Sequence, residues 1–233
     1  MGRVLPILFN TEMVRAVLDG RKTVTRRCVK GFIPNDAIWG YTMFTPKGQI
    51  SCRGYFADEY GEKFFKLPYQ PGDILYVRET WGKGYEEGTY IYRADDKLAE
   101  LPMFKESSKM IYRPSIFMPK EAARIWLKVT SVSVERLQDI TEEQAEKEGI
   151  PDGNDYPIDK VYCPTCKGMG FIGGYNPESL GFEEIECPDC YTAIKRFRNL
   201  WNSTIKKSDI DRYGWEANPW VWVIDFERCE RPV

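Results

Sequence analysis

At 233 residues the chain is long enough for one sizeable hydrophobic core, or one core with a small appendage. Hydrophobic content is 42%, aromatic content 14% and net charge −2, a balance that assigns no partner by itself. Histidine is absent, which excludes Ser-His and Cys-His nucleophiles and any His-containing metal site, so a base must be Lys, Asp, Glu, Tyr or Cys.

In chain order, Pro6–Phe9 reads as a strand and Thr11 to Asp19 as a short amphipathic helix. Met13, Ala16 and Val17 take its core-facing positions, and Asn10 or Thr11 serves as N-cap. Gly20 stands where a helix ends in a left-handed turn. Gly20-Arg21-Lys22-Thr23-Val24-Thr25-Arg26-Arg27 follows, extended through its β-branched residues. Strand alternation puts Thr23, Thr25 and Arg27 on one face, with Lys22 able to swing toward it. The plain alternative for this run is a solvated basic connector. Gly31 to Gly48 reads as loop around an apolar stretch at Ile38–Phe44. Strand-like segments follow at Ile50–Phe56, Asp73–Glu79 and Thr89–Tyr92, with Gly and Pro between them. Lys97 to Lys109 is a polar surface loop, and Arg124 to Val134 alternates as a long strand. Thr141-Glu142-Glu143-Gln144 forms a capping box, so a helix runs to about Glu148 and stops at Gly149. Ala193 to Lys206 is a second amphipathic helix, burying Ile194, Phe197, Leu200, Trp201 and Ile205. Pro219 then opens a final core strand through Phe226. Many short strands with few helices predict an α+β fold, a barrel of mixed topology.

The chain has seven cysteines, four of them in two C-x-x-C units, Cys163-Pro-Thr-Cys166 and Cys187-Pro-Asp-Cys190. Four thiolates at this spacing describe a closed, structural, tetrahedral site for one zinc per chain, the Gly-rich segment between them folding back as a ribbon. A redox pair and two disulfides are the other readings. Cys28, Cys52 and Cys229 read as ordinary buried thiols. Paired C-x-x-C units favour a reducing compartment. With no membrane-length apolar run and no signal-peptide pattern at the N-terminus, a cytoplasmic location is expected.

Charge is unevenly distributed. Between Thr11 and Gly31 stand Arg15, Arg21, Lys22, Arg26, Arg27 and Lys30 against Glu12 and Asp19. Residues 151–190 carry eight acids against Lys160 and Lys167. A nucleic-acid surface therefore belongs to the first segment, and the acidic insertion suits a protein contact.

The spacing Gly-x-Lys-x-x-Thr-x-Arg at Gly20, Lys22, Thr25 and Arg27 resembles the signature of the ASCH domain family, small β-barrels related to the PUA RNA-binding fold. Pro6–Phe9, Gly72–Val77 and Trp220–Phe226 resemble the family's strands. Arg113-Pro114-Ser115-Ile116-Phe117-Met118-Pro119 and Phe197-Arg198-Asn199-Leu200-Trp201 are similar to its longer, phage-encoded branch. The resemblance covers most of the chain outside about 151–190. It implies a single PUA-like domain over 1–233, with flanking helices and an inserted zinc ribbon. The family includes an acetylcytidine amidohydrolase that uses a Lys and a Thr of the motif with a Glu at a helix end. Those positions correspond here to Lys22, Thr25 and Glu148, with Thr25 the nucleophile and Lys22 and Glu148 the acid–base pair. Arg21, Arg26 and Arg27 would lower the Lys22 pKa and Glu148 would raise it. Arg27 suits a phosphate or oxyanion. Read plainly, Glu148 is a solvated helix-end carboxylate and Thr25 a strand-forming residue.

Arg78-Glu79-Thr80-Trp81 sets a charge pair beside an indole, which suits a nucleobase stacked on Trp81, or else a structural ion pair beside a core aromatic. Arg113, Ser115 and Arg124 are candidates of the same kind. The function expected is an amidohydrolase acting on an acylated or modified nucleoside or base. The alternatives are a non-catalytic module binding RNA or a modified base, and a ribonuclease.

Overall fold

Hydrophobic alternation, capping signals and glycine turns account for most of the elements in the computed structural model. It describes residues 2–30, 67–96, 111–150, 165–166, 171–189 and 192–232, and the backbone course of three strands within 38–65. The strands are β1 (Val4–Leu8), β2 (Val24–Cys28), β3 (Ile38–Phe44), β4 (Ser51–Asp58), β5 (Gly61–Phe65), β6 (Ile74–Arg78), β7 (Trp81–Lys83), β8 (Tyr90–Tyr92), β9 (Trp126–Arg136), β10 (Phe171–Asn176), β11 (Gly181–Glu186) and β12 (Trp220–Cys229). The helices are α1 (Thr11–Leu18), α2 (Glu142–Lys147), α3 (Ala193–Thr204) and the short α4 (Ile210–Tyr213).

The result is an α+β fold. Among the described residues the strands form four sheets and none closes into a barrel; the largest has the order β1–β6–β9–β12–β2. No helix among them is long and apolar enough to cross a membrane. The expected loop Lys97–Lys109 lies outside the described residues, as does the side chain of Cys52.

The chain divides into two compact units: Met1–Leu18 with Lys30–Val134 and Val223–Val233, and Asp19–Val29 with Glu135–Trp222. The division falls within the sequences of β9 and β12. In the first unit β1 pairs in parallel with β6, Val4 opposite Ile74 and Leu8 opposite Arg78, and β6 pairs antiparallel with β9. Leu75, Val77, Leu127 and Val129 point into the core, the period-two pattern of a half-buried strand. Asp73 fixes the turn before β6, its carboxylate accepting from the backbone N–H of Arg3 at 3.0 Å and of Gln70 at 2.8 Å. Asn10 caps α1 by accepting from the Met13 N–H at 2.8 Å. Val14, Ala16 and Val17 are that helix's buried residues, with Met13 only half-buried.

In the second unit α2 carries both halves of its capping box, Gln144 N to Thr141 Oγ1 at 3.2 Å and Thr141 N to Gln144 Oε1 at 3.0 Å. α3 buries Ala193, Phe197 and Trp201, whereas Ile194, Leu200 and Ile205 are half-buried. The Trp201 indole donates to Tyr213 O at 2.8 Å.

Candidate functional site

Two turns bring the motif and the end of α2 together. Gly20 has φ +78° and Gly149 φ +87°, a region that side chains disfavour, and each redirects the chain just past a helix. Between these reversals Lys22 forms an antiparallel bridge with Glu148, and the Thr23 N–H donates to Lys147 O at 2.9 Å. Glu148 is the C-cap of α2 and keeps a helical backbone. Its side chain is therefore aimed by the end of α2.

Lys22 is 2% exposed, Thr25 1%, Arg26 3% and Glu148 4%. The Lys22 ammonium donates to Glu148 Oε2 at 2.6 Å, Glu148 O at 2.9 Å and Val24 O at 2.8 Å, which uses all three of its N–H groups. Arg26 Nη1 donates to the other oxygen, Glu148 Oε1, at 3.1 Å. Arg26 Nε and Nη2 both reach Glu135 Oε1, at 2.9 and 2.7 Å, and its guanidinium lies 6.0 Å from the Phe197 ring centre. Two buried cations thus face two carboxylates. Burial pushes the Lys22 pKa below the ordinary lysine range; Glu148 opposes this by charge and hydrogen bond, and Arg27 and Arg26 add to the lowering. A proton passed along the 2.6 Å bond would leave a neutral amine at Lys22, beside the peptide that joins Val24 to Thr25.

Arg26 corrects one expectation. Val24, Thr25 and Arg26 are all buried, so both faces of β2 are covered and alternation does not separate solvent from core. A surface role for Arg26 is replaced by a buried one, bridging Glu135 and Glu148. Thr23 is exposed while Thr25 is buried, because β2 begins only at Val24. Arg27 is half-buried. Arg21 is exposed and holds Gly149 O and Asp19 Oδ2, each at 2.9 Å. Glu135 was missed by sequence reasoning; a lone carboxylate at the end of a strand carries no spacing signal.

The candidates of the first unit form a separate cluster. Glu79, 1% exposed, pairs with Arg124 and not with its neighbour Arg78: Arg124 Nε and Nη2 reach its two oxygens at 2.9 and 3.0 Å. Arg124 also holds Asp95 at 2.7 Å and lies 3.9 Å over the Tyr92 ring. Burial raises the Glu79 pKa against the opposing pull of Arg124. For Arg124, burial works downward but the hydrogen bonds to Glu79 and Asp95 outweigh it and raise the pKa.

Trp81 is 4% exposed and packs with Met118, Ala122, Ala123 and Trp126, the setting of a core aromatic. Backbone bonds with Arg113 at 3.2 and 2.7 Å hold it there, and the Arg113 guanidinium lies 5.8 Å from its ring centre. Arg78 donates to Met118 O at 2.8 Å and to Ile116 O, pinning the single turn Ser115–Phe117 in which Ser115 is half-buried.

Cys166 and Cys187 are buried side by side, and Cys163 and Cys190 lie outside the described residues. Among the described residues no group of three or more His, Cys, Asp or Glu could hold a metal. No family model, no curated protein and no solved structure matches this chain.

Proposed function

We propose that this chain is an ASCH protein with a PUA-like core and an inserted zinc ribbon, acting as an amidohydrolase on an acylated or modified nucleoside or base. One observation carries the reading. Lys22 and Glu148, 126 positions apart, meet in a buried 2.6 Å ion pair one peptide away from Thr25, the third residue of the expected set. In this mechanism Glu148 takes a proton from Lys22, and the neutral amine takes the proton of the Thr25 hydroxyl. The Thr25 oxygen attacks the acyl carbon and the C–N bond breaks. Lys22 gives its proton to the departing amine; the neutral Lys22 amine then takes a proton from water, whose oxygen attacks the acyl carbon, and passes it to the Thr25 oxygen as the acyl C–O bond breaks, after which Glu148 returns its proton to Lys22. Arg26 holds Glu148 in place throughout. Arg27 is the candidate for the oxyanion.

The alternative is a binding module for RNA or a modified base, and one feature favours it. All three Lys22 N–H groups are already satisfied by Glu148 and Val24, as they would be in a buried ion pair that only supports a surface.

Thr25→Val separates the readings, because it keeps the shape of the strand and removes the hydroxyl. With acetylcytidine as the probe, the enzyme reading expects turnover to fall by several orders of magnitude while the dissociation constant moves within about tenfold. Thr25→Val combined with Lys22→Ala should cost little more than either change alone, since residues acting as one unit are not additive. Wild-type protein that hydrolyses nothing across a panel of acylated nucleosides, yet binds them or RNA, leaves the binding reading.

A further inference from the structure

Glu135, which no sequence pattern marks, is built into the cluster at the end of α2. The Arg26 side chain is 0% exposed and distributes its donors unequally. Nε and Nη2 both go to one oxygen of Glu135, at 2.9 and 2.7 Å, and Nη1 alone reaches Glu148 Oε1, at 3.1 Å. Glu148 Oε2 is left to the Lys22 ammonium, at 2.6 Å. Phe197 of α3, its ring centre 6.0 Å from the guanidinium, walls the same side chain. All of these residues belong to the second unit. A guanidinium beside a carboxylate favours a two-pronged grip on both oxygens, a geometry that an ammonium cannot form. Arg26 is therefore a competitor of Lys22 for Glu148, and its hold on Glu135 restrains it.

We propose that Glu135 is a positioning residue for the Lys22–Glu148 pair: by engaging Nε and Nη2 of Arg26 it keeps that cation to one oxygen of Glu148 and reserves the other for Lys22. Glu135 is placed for this by β9, whose backbone fixes it one residue before the strand ends. Its consequence for chemistry rests on the proposed reaction, in which Glu148 receives the Lys22 proton across the reserved bond. Among the described residues, the charged groups that act on Lys22 are Glu148, Arg26 and Arg27. Glu148 raises the Lys22 pKa by charge and hydrogen bond, and the two arginines lower it. A slackened Lys22–Glu148 bond therefore shows as an earlier loss of the Lys22 proton.

In full-length protein carrying isotope-labelled lysine, NMR reads the Lys22 titration midpoint whether or not the protein turns over a substrate. Glu135→Gln keeps the shape and removes the charge that holds Arg26. It should release Arg26 onto both oxygens of Glu148 and lower the Lys22 midpoint by about one pH unit, the scale of a lost charge-assisted hydrogen bond. Arg26→Gln removes the competitor together with its lowering charge, so the midpoint should rise. With acetylcytidine, Glu135→Gln should lower kcat about tenfold while KM stays within about twofold, and Glu135→Asp, which keeps a carboxylate for Arg26, should recover most of that loss. Wild-type protein without turnover would retire the amidohydrolase reading, and the Lys22 midpoints would still decide the role of Glu135. A Glu135 that only supports the fold would lower stability and leave the Lys22 midpoint in place, so an unmoved or raised midpoint in Glu135→Gln overturns the proposal. Should that variant fail to fold, Arg26→Gln decides instead: a midpoint that falls there makes Arg26 a support of the Lys22–Glu148 bond and not its competitor, which overturns the proposal equally.

Discussion

The two units each bury a carboxylate against a cation, and the pairs differ in what their cations can do. In the first unit Glu79 faces Arg124, whose guanidinium keeps its proton at any pH the fold survives, is 26% exposed and has Asp95 as a second partner. In the second unit Glu148 faces Lys22, whose side chain is 0% exposed, together with Arg26. An ammonium in that setting can give up its proton, whereas a forked guanidinium–carboxylate pair can only hold shape. Burial of an ion pair is therefore not itself a sign of chemistry. What separates the clusters is the cation: a fully buried lysine with a lowered pKa in the second, a partly exposed guanidinium in the first.

The sharpest test of this contrast removes each carboxylate in turn. Glu148→Gln leaves Lys22 and Arg26 buried without a counter-charge from that side, and should cost about 3–5 kcal/mol in chemical denaturation. Glu79→Gln leaves Arg124 partly in water and still paired with Asp95, and should cost about 1–2 kcal/mol. Equal losses would mean that the exposure of the remaining cation does not govern the penalty. Replacing the pair together, Lys22→Met with Glu148→Leu, should recover most of the stability lost in Glu148→Gln while abolishing any turnover.

Stability against pH gives the two clusters opposite signs. Lys22 has a folded pKa below its unfolded one, so the unfolded chain binds more protons between those values, and its contribution to stability rises as pH climbs through that window toward 10.5. Glu79 has a folded pKa above its unfolded one, so its contribution falls as pH rises from about 4.5 through the folded value. Denaturation profiles of wild type, Lys22→Met and Glu79→Gln check this directly. Lys22→Met should flatten the alkaline rise, and Glu79→Gln should flatten the fall above about 4.5. A Lys22→Met profile parallel to wild type above neutral pH would remove the lowered lysine from the comparison.

The parts of this fold that sequence reveals are those set by local chemistry. The capping box at Thr141 and the glycine at 149 bound α2 to within a residue, and the alternation at 124–134 marks β9, which runs over Trp126–Arg136. Gly20 marks the turn after α1 because a left-handed residue was needed there. What alternation could not show is which strand faces are covered: β2 is buried through Val24, Thr25 and Arg26, so a motif that reads as a basic surface holds an interior cation. Partner choice was equally hidden. Arg78 and Glu79 are adjacent in sequence, yet Glu79 pairs with Arg124, 45 positions away, while Arg78 at the end of β6 reaches Met118 O. Glu148 came from a family resemblance and not from spacing, since a carboxylate at a helix end has the same local pattern whether it is solvated or, as here, buried.

The smallest effect concerns how firmly Glu148 is aimed. Its position depends on α2 being a formed helix, and that helix has only six residues, too few to persist in isolation. Two features hold it: burial of Ala145 in the middle and the capping box at the start. Thr141→Ala removes the hydroxyl that accepts from the Gln144 N–H and should cost about 1 kcal/mol. Because Thr141 is exposed and its side chain bonds within the capping box, this loss falls on the frame around Glu148. The consequence should appear as faster exchange of the amide protons of Gln144, Ala145 and Glu148, with any turnover reduced by no more than the added fraction of open helix. Thr80→Ala beside Glu79 makes the matching control, since Glu79 is aimed by a strand end that needs no cap. If Thr141→Ala reduced turnover as severely as Thr25→Val while stability changed by only about 1 kcal/mol, α2 would be more than a frame, and the line drawn between positioning and chemistry in this cluster would have to move.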